Sequence, residues 1–218
     1  MKIFLVRHGQ TTGDIEERYG GDYDDELTEK GVEQATTLAE KLVGKNISVI
    51  YSSSKKRAEQ TAEIISKKIN VGLEIIGNFR ERNNYGVLSG LTKTEAKEQF
   101  PFEVKELEEK SPQHSVKGSE DYQKFKDRVV RAFHFVVNAT DANCLIVTHS
   151  GPIRRILADT IGKEVASVDD CALVELEKSG EEYKLVESNG IVFKEYYLKK
   201  ASEKPNSRSQ PTSLEEYP

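Results

Sequence analysis

The chain has 218 residues, a hydrophobic share of 36% and a formal net charge of −5 at pH 7. It is long enough for one substantial core, and no apolar stretch approaches the roughly 20 residues that a transmembrane helix needs. The acidic balance argues against nucleic acid or an anionic membrane as a partner. No secretory signal is visible near the N-terminus, so we expect a cytoplasmic protein.

Strand and helix patterns alternate along the chain. A helix is predicted between Thr28, a suitable N-cap, and Gly44, and a second one from about Ala58 to Asn70. Short apolar runs predict four buried strands, at residues 3–6, 47–51, 73–76 and 144–148. Between the first strand and Thr28, the Gly- and Asp-rich residues 9–27 are expected to form a loop.

The second half of the chain is more varied. Residues 91–127 are rich in charge and contain two prolines, which predicts a helical insertion with a loop around 111–119. A helix is predicted over 121–139, and another follows the strand at 144–148, with Pro152 in its first turn. The last predicted elements are two late strands forming a hairpin, at 172–176 and 183–186.

The alternation predicts one α/β domain over residues 1–200. Its central sheet is expected to be mostly parallel, with helices on both faces and a helical cap insertion at about 91–127. The composition shifts to Ser, Pro, Glu and Asn near residue 201, which predicts a disordered tail over 201–218.

Two of the predicted strands end in a histidine, one running into Arg7-His8-Gly9 and the other into His149-Ser150-Gly151. Parallel strands bring their carboxyl ends to the same edge of a sheet, where α/β proteins bind ligands. The first turn of the helix after the second strand adds Arg57. A cationic cluster of this kind suits a phosphate dianion, and a histidine there can serve as a nucleophile.

Release of an alcohol from a phosphomonoester also needs an acid, because the departing oxygen must be protonated. Glu81 follows the third predicted strand by a few residues and is the best-placed carboxylate. The alternative for Glu81 is a surface ion pair with Arg80 or Arg82.

Together these segments resemble the histidine phosphatase superfamily, which includes the cofactor-dependent phosphoglycerate mutases. The resemblance covers five ordered segments: Leu5 to Thr11, Arg18 to Gly31, Tyr51 to Ala62, Glu81 to Gly90, and Val147 to Arg154. Three positions depart from the usual pattern. Gly20 and Glu26 replace a common Gln and Pro, and Asp14 stands where Asn is frequent, so a phosphate contact is not predicted for Asp14, whose carboxylate would repel the anion.

The resemblance implies a mechanism without metal or cofactor. His8 would attack phosphorus through one ring nitrogen, with the other donating to a backbone carbonyl. Arg7, Arg57 and His149 would hold the phosphoryl oxygens, and Glu81 would protonate the leaving oxygen. The implied substrate-binding residues, for a small phosphorylated metabolite, are Arg7, Gln10, Thr11, Gly20, Arg57, Glu81, His149 and Ser150.

Three functions remain open from the sequence. Segment 91–127 lacks the Arg-Arg pair typical of the mutases, and Gly118-Ser119-Glu120 resembles the phosphatase branch, which favours a phosphatase. The run from Tyr85 to Lys93 is mutase-like, so a phosphoglycerate mutase is the alternative. A non-catalytic phospho-ligand binding or scaffold protein is a lesser alternative, because the expected functional side chains are all present. The oligomeric state is not predicted.

Overall fold

The computed structural model describes residues 1–109 and 116–194. Six strands form one sheet in the order β3-β2-β4-β1-β5-β6. The strands are β1 Lys2–Arg7, β2 Ile47–Ser52, β3 Leu73–Ile75, β4 Asn143–Thr148, β5 Val165–Ser179 and β6 Glu182–Phe193. The first four strands run parallel, and β5 and β6 complete the sheet as an antiparallel hairpin beside β1. The predicted mostly parallel α/β fold is therefore confirmed.

Helices cover both faces of the sheet. The helices of the described residues are α1 Thr12–Ile15, α2 Glu29–Leu42, α3 Lys56–Ile69, α4 Lys93–Gln99, α5 Pro101–Glu109, α6 Tyr122–Asn138 and α7 Ser150–Ile161. Thr28 caps α2 as predicted, with its side chain accepting from the Gly31 amide at 3.0 Å. The four-residue α1 lies inside the predicted loop 9–27. It forms because Thr11 and Asp14 make a reciprocal capping box.

The central strand β1 explains why the fold has two cores. Ile3 and Leu5 pack on one face of the sheet in a cluster with residues of α6 and α7, whereas Phe4 and Val6 pack on the other in a cluster with residues of α2 and α3. All four side chains are fully buried. A strand covered on both faces has apolar residues at every position, which is the continuous run that the sequence shows.

The hairpin is longer than predicted. Strand β5 begins at Val165, because the chain continues through an irregular stretch between Val168 and Leu173 before regular pairing resumes. Cys171 within this bulge has a left-handed backbone, with φ of 51°, and its amide donates to the His8 carbonyl at 3.1 Å. The sequence signal fails here because a bulge interrupts the alternation that identifies a strand.

The segment predicted as a cap contains helices α4 and α5 and the start of α6. A separate small cluster of Tyr19, Leu88, Ala96, Val104 and Val116 packs beneath it. Residues 110–115, which include the first part of the loop predicted around 111–119, and the predicted tail 201–218 lie outside the described residues. Within the described part of the chain, no helix has the length and apolar character needed to cross a membrane.

One close backbone approach fixes the loop after β1 against α2. A Cβ on Gly31 would overlap the Gln10 carbonyl oxygen, and one on Gly9 would lie 2.6 Å from the Gly31 carbonyl oxygen. We expect Gly31→Ala to lower the free energy of unfolding by about 1–3 kcal/mol through overpacking. Helix propensity alone favours alanine over glycine by about 1 kcal/mol, so a loss of stability in Gly31→Ala would show that the close contact outweighs it. Gly72→Ala, with nothing within 4 Å of its Cβ, is the matched control in urea unfolding.

Candidate active site

The two predicted histidines meet at one edge of the sheet. Strands β1 and β4 are parallel neighbours with Arg7 opposite Thr148, so His8 and His149 follow directly at adjacent carboxyl ends. Their ring centroids lie 5.0 Å apart. Both side chains are buried, with His8 5% and His149 0% exposed. The pair is therefore held by the sheet itself rather than by flexible loops.

The His8 ring is oriented by its own backbone. Its Nδ1 lies 2.8 Å from the Gly9 carbonyl oxygen, which can only accept, so Nδ1 carries the proton and Nε2 keeps a lone pair. That Nε2 lies 3.2 Å from Nε of Arg57. Burial, then the positive charges of Arg57 and Arg7, hold the pKa of His8 well below 6.5. A nucleophilic histidine must be neutral and keep a lone pair, and in this structure the Nε2 lone pair accepts from Nε of Arg57.

His149 occupies a matching environment. Its Nε2 lies 2.8 Å from the Ser53 hydroxyl at the end of β2, and its Nδ1 accepts from Nε of Arg57 at 3.3 Å. Burial and the adjacent Arg57 also hold the pKa of His149 well below its usual range. One arginine N–H is thus shared between two neutral imidazoles.

Arg57 is buried and its guanidinium is almost fully engaged. Its NH1 donates to the Asp25 carboxylate at 2.6 Å and to the Tyr23 carbonyl at 2.7 Å, and its NH2 donates to the Gly21 carbonyl at 3.3 Å. Asp25 is itself only 7% exposed. The sequence analysis missed Asp25 as a site residue. The usable signal was that a buried arginine in the first turn of a helix needs a counterion.

Arg7 is held from the bulge in β5. Its NH1 donates to the Val168 carbonyl at 2.7 Å and lies 3.1 Å from the Asp170 carboxylate. Its Nε is buried without a hydrogen-bond partner. A buried donor without a partner is costly, and an anion in the pocket could satisfy it. Asp170 is the second site residue that the sequence analysis did not identify.

Glu81 lies against the N-terminus of α7. Its Oε2 accepts from the Gly151 amide at 3.0 Å, and a Cβ on Gly151 would collide with Oε1. The glycine after His149-Ser150 thus leaves room for this carboxylate. The alternative ion pairs of Glu81 are not formed, because Arg80 pairs with Glu120 at 3.6 Å and Arg82 donates to the Glu120 carbonyl at 3.0 Å.

These groups line a cavity of about 580 Å³. Most of the predicted substrate-binding residues lie on its wall, namely Arg7, Thr11, Gly20, Arg57, Glu81 and Ser150, together with His8. His149 lies behind this wall, where its ring packs against His8 and accepts a hydrogen bond from Arg57. Gln10 is not brought to the cavity, because its Oε1 accepts from the Thr28 hydroxyl at 3.0 Å. Asp14 is on the wall, but its carboxylate accepts from the Thr11 amide and hydroxyl, each at 3.0 Å.

The donor set of the cavity consists of guanidinium and imidazole nitrogens with separate carboxylates. Among residues 1–109 and 116–194, no cluster of three His, Cys, Asp or Glu side chains is arranged to hold a metal ion. The two cysteines also lie outside the cavity wall, and burial raises the pKa of each thiol to about 12.

Fold and cavity together define a single-domain α/β protein with paired histidines and arginines at one sheet edge. The chain belongs to the histidine phosphatase superfamily, branch 1, whose family model matches residues 3–190. This is a family of phosphatases and phosphoglycerate mutase-like enzymes, as the resemblance of the motifs indicated.

Similar proteins carry names from both groups. Phosphoserine phosphatase 1 of Hydrogenobacter thermophilus is 30% identical over 173 residues, covering 76% of this chain and 79% of that protein. Phosphoglycerate mutase-like protein 4 of Arabidopsis thaliana is 34% identical over 160 residues, covering 71% of this chain and 69% of that protein. The solved structure of a protein described as an alpha-ribazole-5'-P phosphatase from Escherichia coli superimposes with a TM-score of 0.76 at 24% identity. The match covers 87% of this chain and 96% of that one.

Proposed function

We propose that this protein is a metal-independent phosphatase that hydrolyses small phosphomonoesters through a phosphohistidine on His8. The observation that carries the proposal is the orientation of His8. Its Nδ1 is bound to the Gly9 carbonyl, and its Nε2 lone pair lies beside Arg57 in a cavity that Glu81 also lines. A nucleophile, a cationic clamp and an acid in one cavity are the parts that phosphomonoester hydrolysis needs.

In the first step, Nε2 of His8 attacks phosphorus and the bond from phosphorus to the ester oxygen breaks. Arg7 and Arg57 stabilise the charge on the non-bridging oxygens, the role that magnesium has in other phosphoryl-transfer sites. Glu81 gives its proton to the departing oxygen, so the product leaves as an alcohol.

In the second step, Glu81 acts as the base for a water molecule. The water oxygen bonds to phosphorus as the bond from phosphorus to Nε2 breaks, and Glu81 regains its proton. Inorganic phosphate is released and His8 returns to its neutral form. The lowered pKa of His8, caused by burial and by Arg57, fits a group that must be neutral to attack again.

Features near the cavity support a substrate with a second anionic group. A neighbouring cavity of about 440 Å³ shares Asn84 and Tyr85 with the main one, and Lys93 lies on its wall. The Lys93 ammonium lies 3.3 Å from the centroid of the Tyr19 ring. A substrate carboxylate could pair with this cation, which suits small phosphorylated acids.

The test is phosphate release from a panel of phosphomonoesters in the presence of EDTA. The panel includes phosphoserine, 3-phosphoglycerate and p-nitrophenyl phosphate. We expect release that EDTA does not diminish. If no ester releases phosphate but 3-phosphoglycerate is isomerised, the mutase alternative holds. If neither reaction occurs, the binding or scaffold alternative replaces the enzyme.

The role of Glu81 predicts a leaving-group effect. We expect Glu81→Gln to slow phosphohistidine formation from phosphoserine by about 10²–10⁴-fold, because an alkoxide cannot leave unprotonated. The loss with p-nitrophenyl phosphate is expected to be about 10-fold or less, since nitrophenolate leaves without a proton. Single-turnover rates measure this step alone. Glu98→Gln, an exposed residue of α4, is the control, and equal losses for both esters would contradict the assignment.

A further inference from the structure

The cavity wall carries nearly as many carboxylates as arginines. Its wall contains four arginines, Arg7, Arg18, Arg57 and Arg154, and three carboxylates, Asp14, Asp25 and Glu81. Asp170 adds a fourth carboxylate behind Arg7. The arginine field that an incoming phosphate meets is therefore partly neutralised before the phosphate arrives.

Asp25 is one of three groups on the loop 21–25 that hold the Arg57 guanidinium, and it is the one that carries a charge. The guanidinium of Arg57 would remain fixed by the Tyr23 and Gly21 carbonyls if the carboxylate were neutral. The loop is also held independently, because the Lys56 amide donates to Asp24 at 2.8 Å. What Asp25 adds is a full negative charge, 2.6 Å from NH1 of Arg57 and shielded from water. A buried arginine without a counterion would attract any bound anion strongly. Because Asp25 already neutralises Arg57, an anion that binds in the cavity gains less from this arginine.

Asp25 is also built into the site. A Cβ on Gly13 would lie 2.5 Å from its Oδ2, so the second residue of α1 has to be small to accommodate the carboxylate. Asp170 holds the equivalent position toward the other arginine, 3.1 Å from NH1 of Arg7, from a different element of the fold. Each arginine of the clamp thus has its own counterion.

We propose that Asp25 and Asp170 lower the affinity of this cavity for phosphate, so that inorganic phosphate leaves readily after each turnover. The inference rests on the proposed hydrolytic function, in which phosphate is the product that must depart. An enzyme that retains its phosphoryl group between turnovers gains nothing from such neutralisation. The two carboxylates therefore act on product release through the arginines, as affinity-determining residues that do not touch the reacting atoms.

The test uses charge-removing substitutions that keep shape and a hydrogen-bond acceptor. We expect Asp25→Asn and Asp170→Asn each to bind inorganic phosphate and orthovanadate roughly 10-fold more tightly, because a nearby repulsive charge is lost. Calorimetry measures both affinities, and the inhibition constant for phosphate falls by the same factor. The control is Asp22→Asn on the same loop, whose side chain is 52% exposed and pairs with Lys55. Its charge is screened by solvent, so its affinities stay at the wild-type value.

The direction of the change in anion affinity separates this role from a structural one. A substitution that damaged the site would weaken anion binding, whereas loss of a repulsive charge strengthens it. Unchanged or weaker binding in a folded Asp25→Asn or Asp170→Asn chain overturns the proposal for that residue. If one variant fails to fold, the other still decides, because the two lie on different elements. The binding assay needs no turnover, so a wild-type chain that binds vanadate but hydrolyses no ester would refute the proposed function separately.

Discussion

We expect His8→Ala to reduce phosphate release by about 10⁴-fold or more, because removing the nucleophile eliminates the covalent route. Arg7 and Arg57 remain in this variant, each held by its own carboxylate and backbone carbonyl. The loss is therefore expected in the rate of phosphoryl transfer, with orthovanadate still bound. Release of phosphate in EDTA, followed across the ester panel, measures the rate.

The chain offers a matched control for that substitution. His134 lies on α6, outside the cavity wall, with its side chain 41% exposed and 3.3 Å from Asp159. We expect His134→Ala to retain wild-type rates. Quenching the wild-type chain and a ³²P-labelled ester in alkaline SDS traps a phosphohistidine, which is stable to alkali and lost in acid, and His8→Ala traps none. Label retained on His8→Ala would assign the nucleophile elsewhere and contradict the mechanism.

We expect His149→Ala to slow phosphoryl transfer by about 10²-fold, because His149 accepts from Nε of Arg57 and its loss leaves the arginine that holds the phosphoryl group less precisely placed. His149 is fully buried between the Ser53 hydroxyl and Arg57. Its removal frees Nε of Arg57 from one of its two acceptors, so the Arg57 guanidinium loses a partner that orients it. The fold is expected to persist, because the residues that pack the sheet are unchanged.

Two measurements check this prediction. The first is the rate constant for phosphohistidine formation in a single turnover, and the second is thermal unfolding of the unliganded chain. Slow transfer in a chain that unfolds at the wild-type temperature is the expected result. Wild-type rates in His149→Ala would remove His149 from the mechanism, while a large loss of stability would move its role from chemistry to folding.

Much of this fold can be predicted from the sequence, because its strands are short and buried on both faces. The run Ile3 to Val6 contains no polar residue, and such a run identifies a buried parallel strand without any tertiary information. The fold class then brings the ends of β1 and β4 to one edge, so the sequence predicts that His8 and His149 reach the same edge, and the pairing of β1 with β4 makes them neighbours. The Thr28 cap and the start of α2 follow equally from local chemistry.

Sequence reasoning can indicate that a buried arginine needs a counterion, but it cannot identify which carboxylate supplies it. Asp25 lies in an irregular loop among other acidic residues, and Asp170 lies in a bulge that interrupts β5. No periodicity marks either position, and each partner is far away in the sequence. Gln10 was predicted to bind the substrate, but the structure does not bring it to the cavity. It adjoins the residues that form the site, yet its side chain accepts from Thr28 because the loop turns back onto α2.

The sequence by itself determined the α/β class, the buried strands, the helices that flank them, and the histidines and arginines that reach the edge of the sheet. The strands and helices can be recognised from the apolar pattern of each short segment. The position of the histidines and arginines then follows from the direction of the parallel strands. Only the tertiary structure decided which carboxylates neutralise Arg7 and Arg57, and how Glu81 is held against the N-terminus of α7. Those choices depend on contacts between distant loops, where burial forces each polar group to find a partner.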